Sequence, residues 1–122
     1  MKAKSAKAKG SRLEKWWVTE MRGLGLSARK QPMSGALPDF PHDGFIEIPC
    51  VGPAIVECKA RKSGIKTIQG WMKDEAEWLV IKPDFQDPYH VVTHPLMLKL
   101  LSALEAKRQE LEDLQAAKEG AK

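Results

Sequence analysis

The chain has 122 residues, 43% apolar and 30% charged, with a formal net charge of +4 and two cysteines. That length suits one core of ordinary size, so a single domain is expected, and the composition argues against both wholesale disorder and a disulfide-dense miniature scaffold. No stretch nears the roughly 18 apolar residues of a bilayer-crossing helix, and the four lysines of the first nine residues have no hydrophobic segment behind them, so a leaderless intracellular protein without a membrane span is expected.

The positive charge is local. Residues 1–30 hold nine Lys/Arg against Glu14 and Glu20, a net of +7, and the remaining residues carry −3. A basic first quarter on a mildly acidic body is complementary to nucleic-acid phosphates, with a solubilising tail as the plain alternative. Residues 1–10 are Lys/Ala-rich and low in complexity, and are read as a flexible basic arm.

Ser11 with Glu14 three residues on has the spacing of a capping box, and Leu13, Trp16, Trp17, Met21 and Leu24 recur at helical spacing, predicting a helix to about Arg22 that Gly23 and Gly25 stop. Ser27 to Lys30 is a short extended piece, followed by a long loop punctuated by Pro32, Ser34, Gly35, Pro38 and Pro41. Strands are expected at 45–48 and 54–59, joined by a hairpin connection through Pro49–Pro53. A short helix over Thr67–Glu75 follows, then a second strand, turn, strand unit at 78–81 and 89–92. Thr93 or His94 caps a last helix with Pro95 in its first turn and Leu96, Leu100, Leu101 and Leu104 on its buried face. The expected order is α β β α β β α, with a mixed central sheet, a body over residues 11–104 and a charged helical extension over 105–122. Cys50 and Cys58 read as buried reduced thiols, since no second Cys/His pair completes a zinc site.

The tripeptide Glu57-Cys58-Lys59 singles itself out by context. A chain of this composition holds about one Glu-x-Lys by chance, and the second copy here, Glu105-Ala106-Lys107, lies in a polar helical tail. Glu57 and Lys59 end an apolar strand expected to be central in the sheet, where alternation puts them on one face with Cys58 on the other. A hairpin turned near Val51 pairs residues whose numbers sum to about 100 to 102, which sets Asp43 opposite Glu57 or Lys59. Two carboxylates and an ammonium then converge. Carboxylates so placed repel unless they share a hard cation, and oxygen ligation with open water positions is what Mg²⁺ prefers, with Mn²⁺ as a substitute. Lys59 beside such an ion is suited to orienting a water and offsetting charge in phosphodiester hydrolysis. A surface hairpin with an ordinary charge ladder is the plain alternative.

A carboxylate, a short gap, Glu-x-Lys on the next strand, and a preceding helix bearing Glu together resemble the PD-(D/E)XK nuclease superfamily, in particular the archaeal-type Holliday junction resolvases and their phage relatives. The matching stretches are Lys9–Glu14, Gln31–Ala36, Asp43 and Ile55–Arg61, and the likeness covers about residues 9–101. It implies a restriction-endonuclease-like α/β fold and structure-selective cleavage of branched DNA by a homodimer. It further implies Asp43 and Glu57 as metal ligands, Lys59 as the catalytic lysine, Glu14 as an acidic residue completing the site, and Ser34 in a loop approaching the scissile strand. Gln69 is a weak match to a polar residue that some members place after the Glu-x-Lys strand. The literal Pro-Asp pair is Pro38-Asp39, but Asp43 directly precedes the strand and is preferred over Asp39. His42 reads as solvent-facing, and Glu47 has suitable parity but stands near the turn.

Lys7, Lys9, Arg12, Arg29, Lys30, Ser34, Arg61 and Lys62 are the candidate DNA contacts, although a solvated face explains any one of the cations equally well. Trp16, Trp17, Trp71 and Trp78 read as core or dimer packing before base stacking. Other endonucleases sharing the motif, and a nonenzymatic DNA-binding module, are the rival functions, because fold does not determine substrate.

Overall fold

The structure, a computed structural model, describes residues 2–30, 43–63 and 65–120, with side chains from Lys9 onward. It divides into two compact units, one comprising the described residues up to Ala60 together with those from Leu101, the other Arg61–Leu100. Each is described by itself. The boundary after Ala60 falls between the two hairpins.

The first unit opens with helix α1, Lys2–Gly23. Residues 2–10 belong to it rather than forming a separate arm, because Lys and Ala are strong helix formers and a lone Gly10 costs only about 1 kcal/mol. Ser11 therefore lies inside the helix and is not its cap. Gly25, at φ 85°, ends α1 in a Schellman motif: Leu26 N–H donates to Met21 O and Gly25 N–H to Arg22 O. Met21 and Leu26, the apolar pair that accompanies such a motif, are both buried.

The reversed chain then forms strand β1, Ala28–Lys30, which pairs antiparallel with β2, Gly44–Ile48, and β2 pairs antiparallel with β3, Gly52–Val56. The order β1-β2-β3 makes β2 central and leaves β3, expected to be central, at an edge of the described sheet. The β2–β3 partners run from Gly44↔Val56 to Ile48↔Gly52, so the register sum of 100 lies within the predicted range. Pro49 and the positive φ of Cys50, 66°, with Val51 N–H donating to Ile48 O, make a turn with the φ pattern of type II. Helix α1 packs on β1, and Val18, Met21, Leu26, Ala28, Ile46 and Leu101 form the core.

In the second unit α2 is Lys66–Trp71, shorter than the expected Thr67–Glu75 because Asp74 and Glu75 adopt φ of 60° and 65°, which a right-handed helix cannot contain. Strands β4, Trp78–Ile81, and β5, Tyr89–Val92, form an antiparallel pair with Trp78↔Val92 and Ile81↔Tyr89 in register, at the positions the alternation marked. Helix α3, His94–Gly120, begins at Pro95's turn as expected and continues through the charged extension. There Arg108 donates to Glu105 at 2.7 Å and Glu112 at 2.6 Å, and its hydrogen bond holds the Glu105 carboxyl below the usual carboxylate range.

The protein is thus mixed α/β, with three helices, one three-stranded and one two-stranded sheet among the described residues. The described pairings are all antiparallel, correcting the expected mixed sheet, and the order α β β β α β β α contains the extra strand β1. None of the helices is long and apolar enough to cross a membrane among the described residues.

Candidate active site

The site is assembled where the three-stranded sheet ends. Gly44↔Val56 is the last backbone pair, and continuing that register sets Asp43 opposite Glu57. The ladder stops there because β3 leaves the sheet after Val56, so Glu57 and Lys59 follow the strand instead of ending it as expected. Asp43 takes over from the backbone: its Oδ2 accepts the N–H of Cys58 at 2.5 Å. A short charge-assisted bond of this kind fixes both the buried carboxylate, 8% exposed, and the path of the departing chain.

Gly44 permits this arrangement. A Cβ built on it would stand 2.5 Å from the Arg29 carbonyl oxygen, so the neighbouring strand tolerates no larger residue beside Asp43 without moving.

Glu14 arrives from α1, on the buried stripe with Val18 and Met21 at i, i+4 and i+7. Only 4% exposed, it is paired with Lys30 Nζ at 3.3 Å, and the same ammonium donates to Ser11 Oγ at 3.5 Å. A carboxylate on the core side of a helix is expensive unless it is paired, and β1 supplies the partner. Glu57 and Lys59 are exposed and lie 3.8 Å apart, a distance and setting worth little to stability.

Cys58 reports how these groups converge. Burial foremost, then Asp43, Glu14 and Glu57 in that order, push its thiol up to about 11, while Lys59 pulls it down. The three carboxylates and the lysine singled out in the sequence therefore act electrostatically on one sulfur atom, though they come from α1, the head of β2 and the tail of β3. Among the described residues no three His, Cys, Asp or Glu side chains stand close enough to hold an ion as they are.

The other candidates are distributed more widely. Lys9 and Arg12 are exposed on α1, while the side chain of Lys7 lies outside the described residues. Arg29 is exposed on β1 with its guanidinium 4.0 Å from the Phe45 ring centroid. Arg61, Lys62 and Gln69 are exposed in the second unit. Ser34, Asp39 and His42 lie outside the described residues. Glu47 is exposed beside the turn, with its N–H donating to Ser27 O.

Trp16, Trp71 and Trp78 are about half exposed, so of the expected core or dimer packing they do not fill the core role. The one-dimensional pattern left Lys30's pairing with Glu14 unread, treating Lys30 as a phosphate contact. The signal was the lone acid on α1's buried stripe, which requires a cation from another element.

Comparison with protein-family models, curated proteins and solved structures finds no match.

Proposed function

We propose that the chain is a metal-dependent endonuclease of the PD-(D/E)XK kind, with a restriction-endonuclease-like fold, that cuts branched DNA such as four-way junctions. The observation that carries this reading is geometric: Asp43 is buried at the end of the β2–β3 ladder, in register with Glu57, and its Oδ2 accepts the Cys58 N–H between Glu57 and Lys59. Glu14, buried on α1 and paired with Lys30 of β1, is a second acid on the core side of the same unit.

The donor set suits a hard cation. It is made of carboxylate oxygens, and a carboxylate that accepts one N–H retains acceptor capacity. Asp43 and Glu57 would hold Mg²⁺, or Mn²⁺ in its place, which supplies Lewis-acid stabilisation of charge on phosphorus-bound oxygen. The 3.8 Å pair between exposed Glu57 and Lys59 is worth little to stability, so that pair does not oppose a turn of Glu57 toward Asp43. Lys59, released from Glu57 by that turn, would orient the attacking water and offset charge at the scissile phosphate. Glu14, neutralised by Lys30, would complete the acidic wall.

Specificity in this reading comes from DNA shape and phosphate contacts rather than base edges. A homodimer accounts for two symmetric cuts, one site per strand, and the exposed Trp71, Trp78, Val80 and Tyr89 offer apolar surface for subunit packing.

The test is Mg²⁺-dependent cutting of a synthetic four-way junction and of linear duplex by wild type, Asp43→Ala and Glu57→Ala. Junction-selective cutting lost in both variants supports the proposal. Equal cutting of both substrates leaves a nuclease without the resolvase label, and absence of cutting, or cutting that survives both substitutions, removes the catalytic assignment.

A further inference from the structure

We infer that the groove between α1 and β1 is a phosphate track that holds the sugar–phosphate backbone of DNA. Its volume is about 480 Å³, and it is lined by Lys15, Val18, Thr19 and Arg22 from α1 and by Arg29 and Lys30 from β1. The four helical residues stand at i, i+3, i+4 and i+7, which is one face of a helix. Four of the six lining residues are cations and none is acidic.

Two of the cations are held in position by other protein groups. Arg22 Nε donates to Ala28 O at 3.1 Å, which anchors the guanidinium against β1. Arg29 Cζ lies 4.0 Å from the centroid of the Phe45 ring, a cation–π contact that positions the guanidinium. Preorganised guanidiniums lose less side-chain freedom on meeting an anion, and their fork matches phosphate oxygens. Thr19 donates its hydroxyl to Lys15 O at 3.0 Å, so between the two helical cations the groove floor presents little polar competition.

Edge protection explains charge on the short strand β1 but not charge on the facing helix. Lys15 and Arg22 are seven residues apart, about 10.5 Å along the helix axis, close to the rise of three nucleotides of one B-form strand. A strand laid in the groove would pass Lys30, whose ammonium also pairs with Glu14 of the candidate site. The groove thus connects the basic first quarter to the carboxylates without a mobile tail.

This inference takes its choice of polyanion, DNA, from the function proposed above, and the experiment separates the two. Full-length wild type, Lys15→Gln/Arg22→Gln and Lys15→Arg/Arg22→Lys would be titrated onto fluorescent four-way junction and duplex DNA in EDTA over a range of salt, with thermal unfolding recorded for each protein. Loss of two phosphate contacts lowers the slope of log Kobs against log[salt] by about 1.8. The expected result is that change in the Gln variant with about tenfold weaker binding at moderate salt, and recovery in the charge-retaining variant.

Unchanged slope and affinity in the Gln variant would overturn the groove and leave the nuclease reading intact. Wild type that binds through the groove yet cuts nothing with Mg²⁺ would do the reverse. If the Gln variant unfolds at lower temperature, the charge-retaining variant decides: failure to recover the salt slope there counts against the groove.

Discussion

The two units use their apolar side chains in opposite ways. In the first, Val18, Met21, Leu26, Ala28, Ile46 and Leu101 are buried together with Glu14 and Asp43. In the second, none of the described side chains is buried, and Ile65, Trp71, Trp78, Val80, Phe85 and Tyr89 are exposed. The first unit spends part of a small core on two carboxylates, an arrangement that costs stability unless those groups are paired or perform work. The second keeps its hairpin by local pairing and by the Trp78 Nε1–H bond to His90 Nδ1 at 2.7 Å, and leaves its apolar side chains exposed. In the proposed function, chemistry and association thus fall to different parts of one short chain.

The sharpest way to break that division is through the carboxylates. Asp43→Ala and Glu57→Ala should each lower the rate of DNA cutting by roughly 1,000-fold or more, about 4 kcal/mol of transition-state stabilisation, measured as single-turnover cleavage at saturating protein. Substitutions in the second unit that lowered the rate as much would dissolve the distinction.

Stability should follow the same line. Met21→Ala removes the most completely buried side chain of the first unit and should cost about 2–5 kcal/mol in denaturant unfolding, whereas the fully exposed Phe85 should tolerate Ser within about 0.5 kcal/mol. Gly44→Ala should cost about 1–3 kcal/mol, because its Cβ meets backbone and not a side chain that can turn aside. A neutral Gly44→Ala would mean that β1 is not seated on β2 as described.

Cys58 provides a smaller but more local probe. Its thiol, pushed up to about 11, should be nearly inert to alkylation at pH 8 and gain rate about tenfold per pH unit until it titrates. Glu57→Gln removes one of the charges that raise it, so the onset should move to lower pH; an unmoved profile would show that Glu57 does not act on the sulfur. Because the folded-state value is raised, the stability this thiol contributes is complete below the ordinary thiol range and is lost as pH climbs through about 9 to 11.

Much of this was legible along the chain because it depends on short-range physics. Short apolar runs flanking proline-containing turns placed both hairpins, and turn length with parity set Asp43 across from Glu57 or Lys59, of which the observed register selects Glu57. Charge density set the first quarter apart from the rest. The end of α1 was readable from Gly25, since the left-handed φ there suits glycine. Its beginning was not, because a lysine-rich run reads equally as a solvated tail or as a helix.

Sequence by itself thus determined most of the elements, the range containing the first hairpin's register and the choice of charged candidates. Tertiary structure decided that β3 lies at an edge of the described sheet, that Glu14 is buried against Lys30, that Asp43 holds the Cys58 amide, and that Lys15, Arg22, Arg29 and Lys30 line one groove. Those relations join residues on different elements, where no periodicity links one partner to the other, and they form only when burial of α1 against β1 forces each charge to find a counterpart.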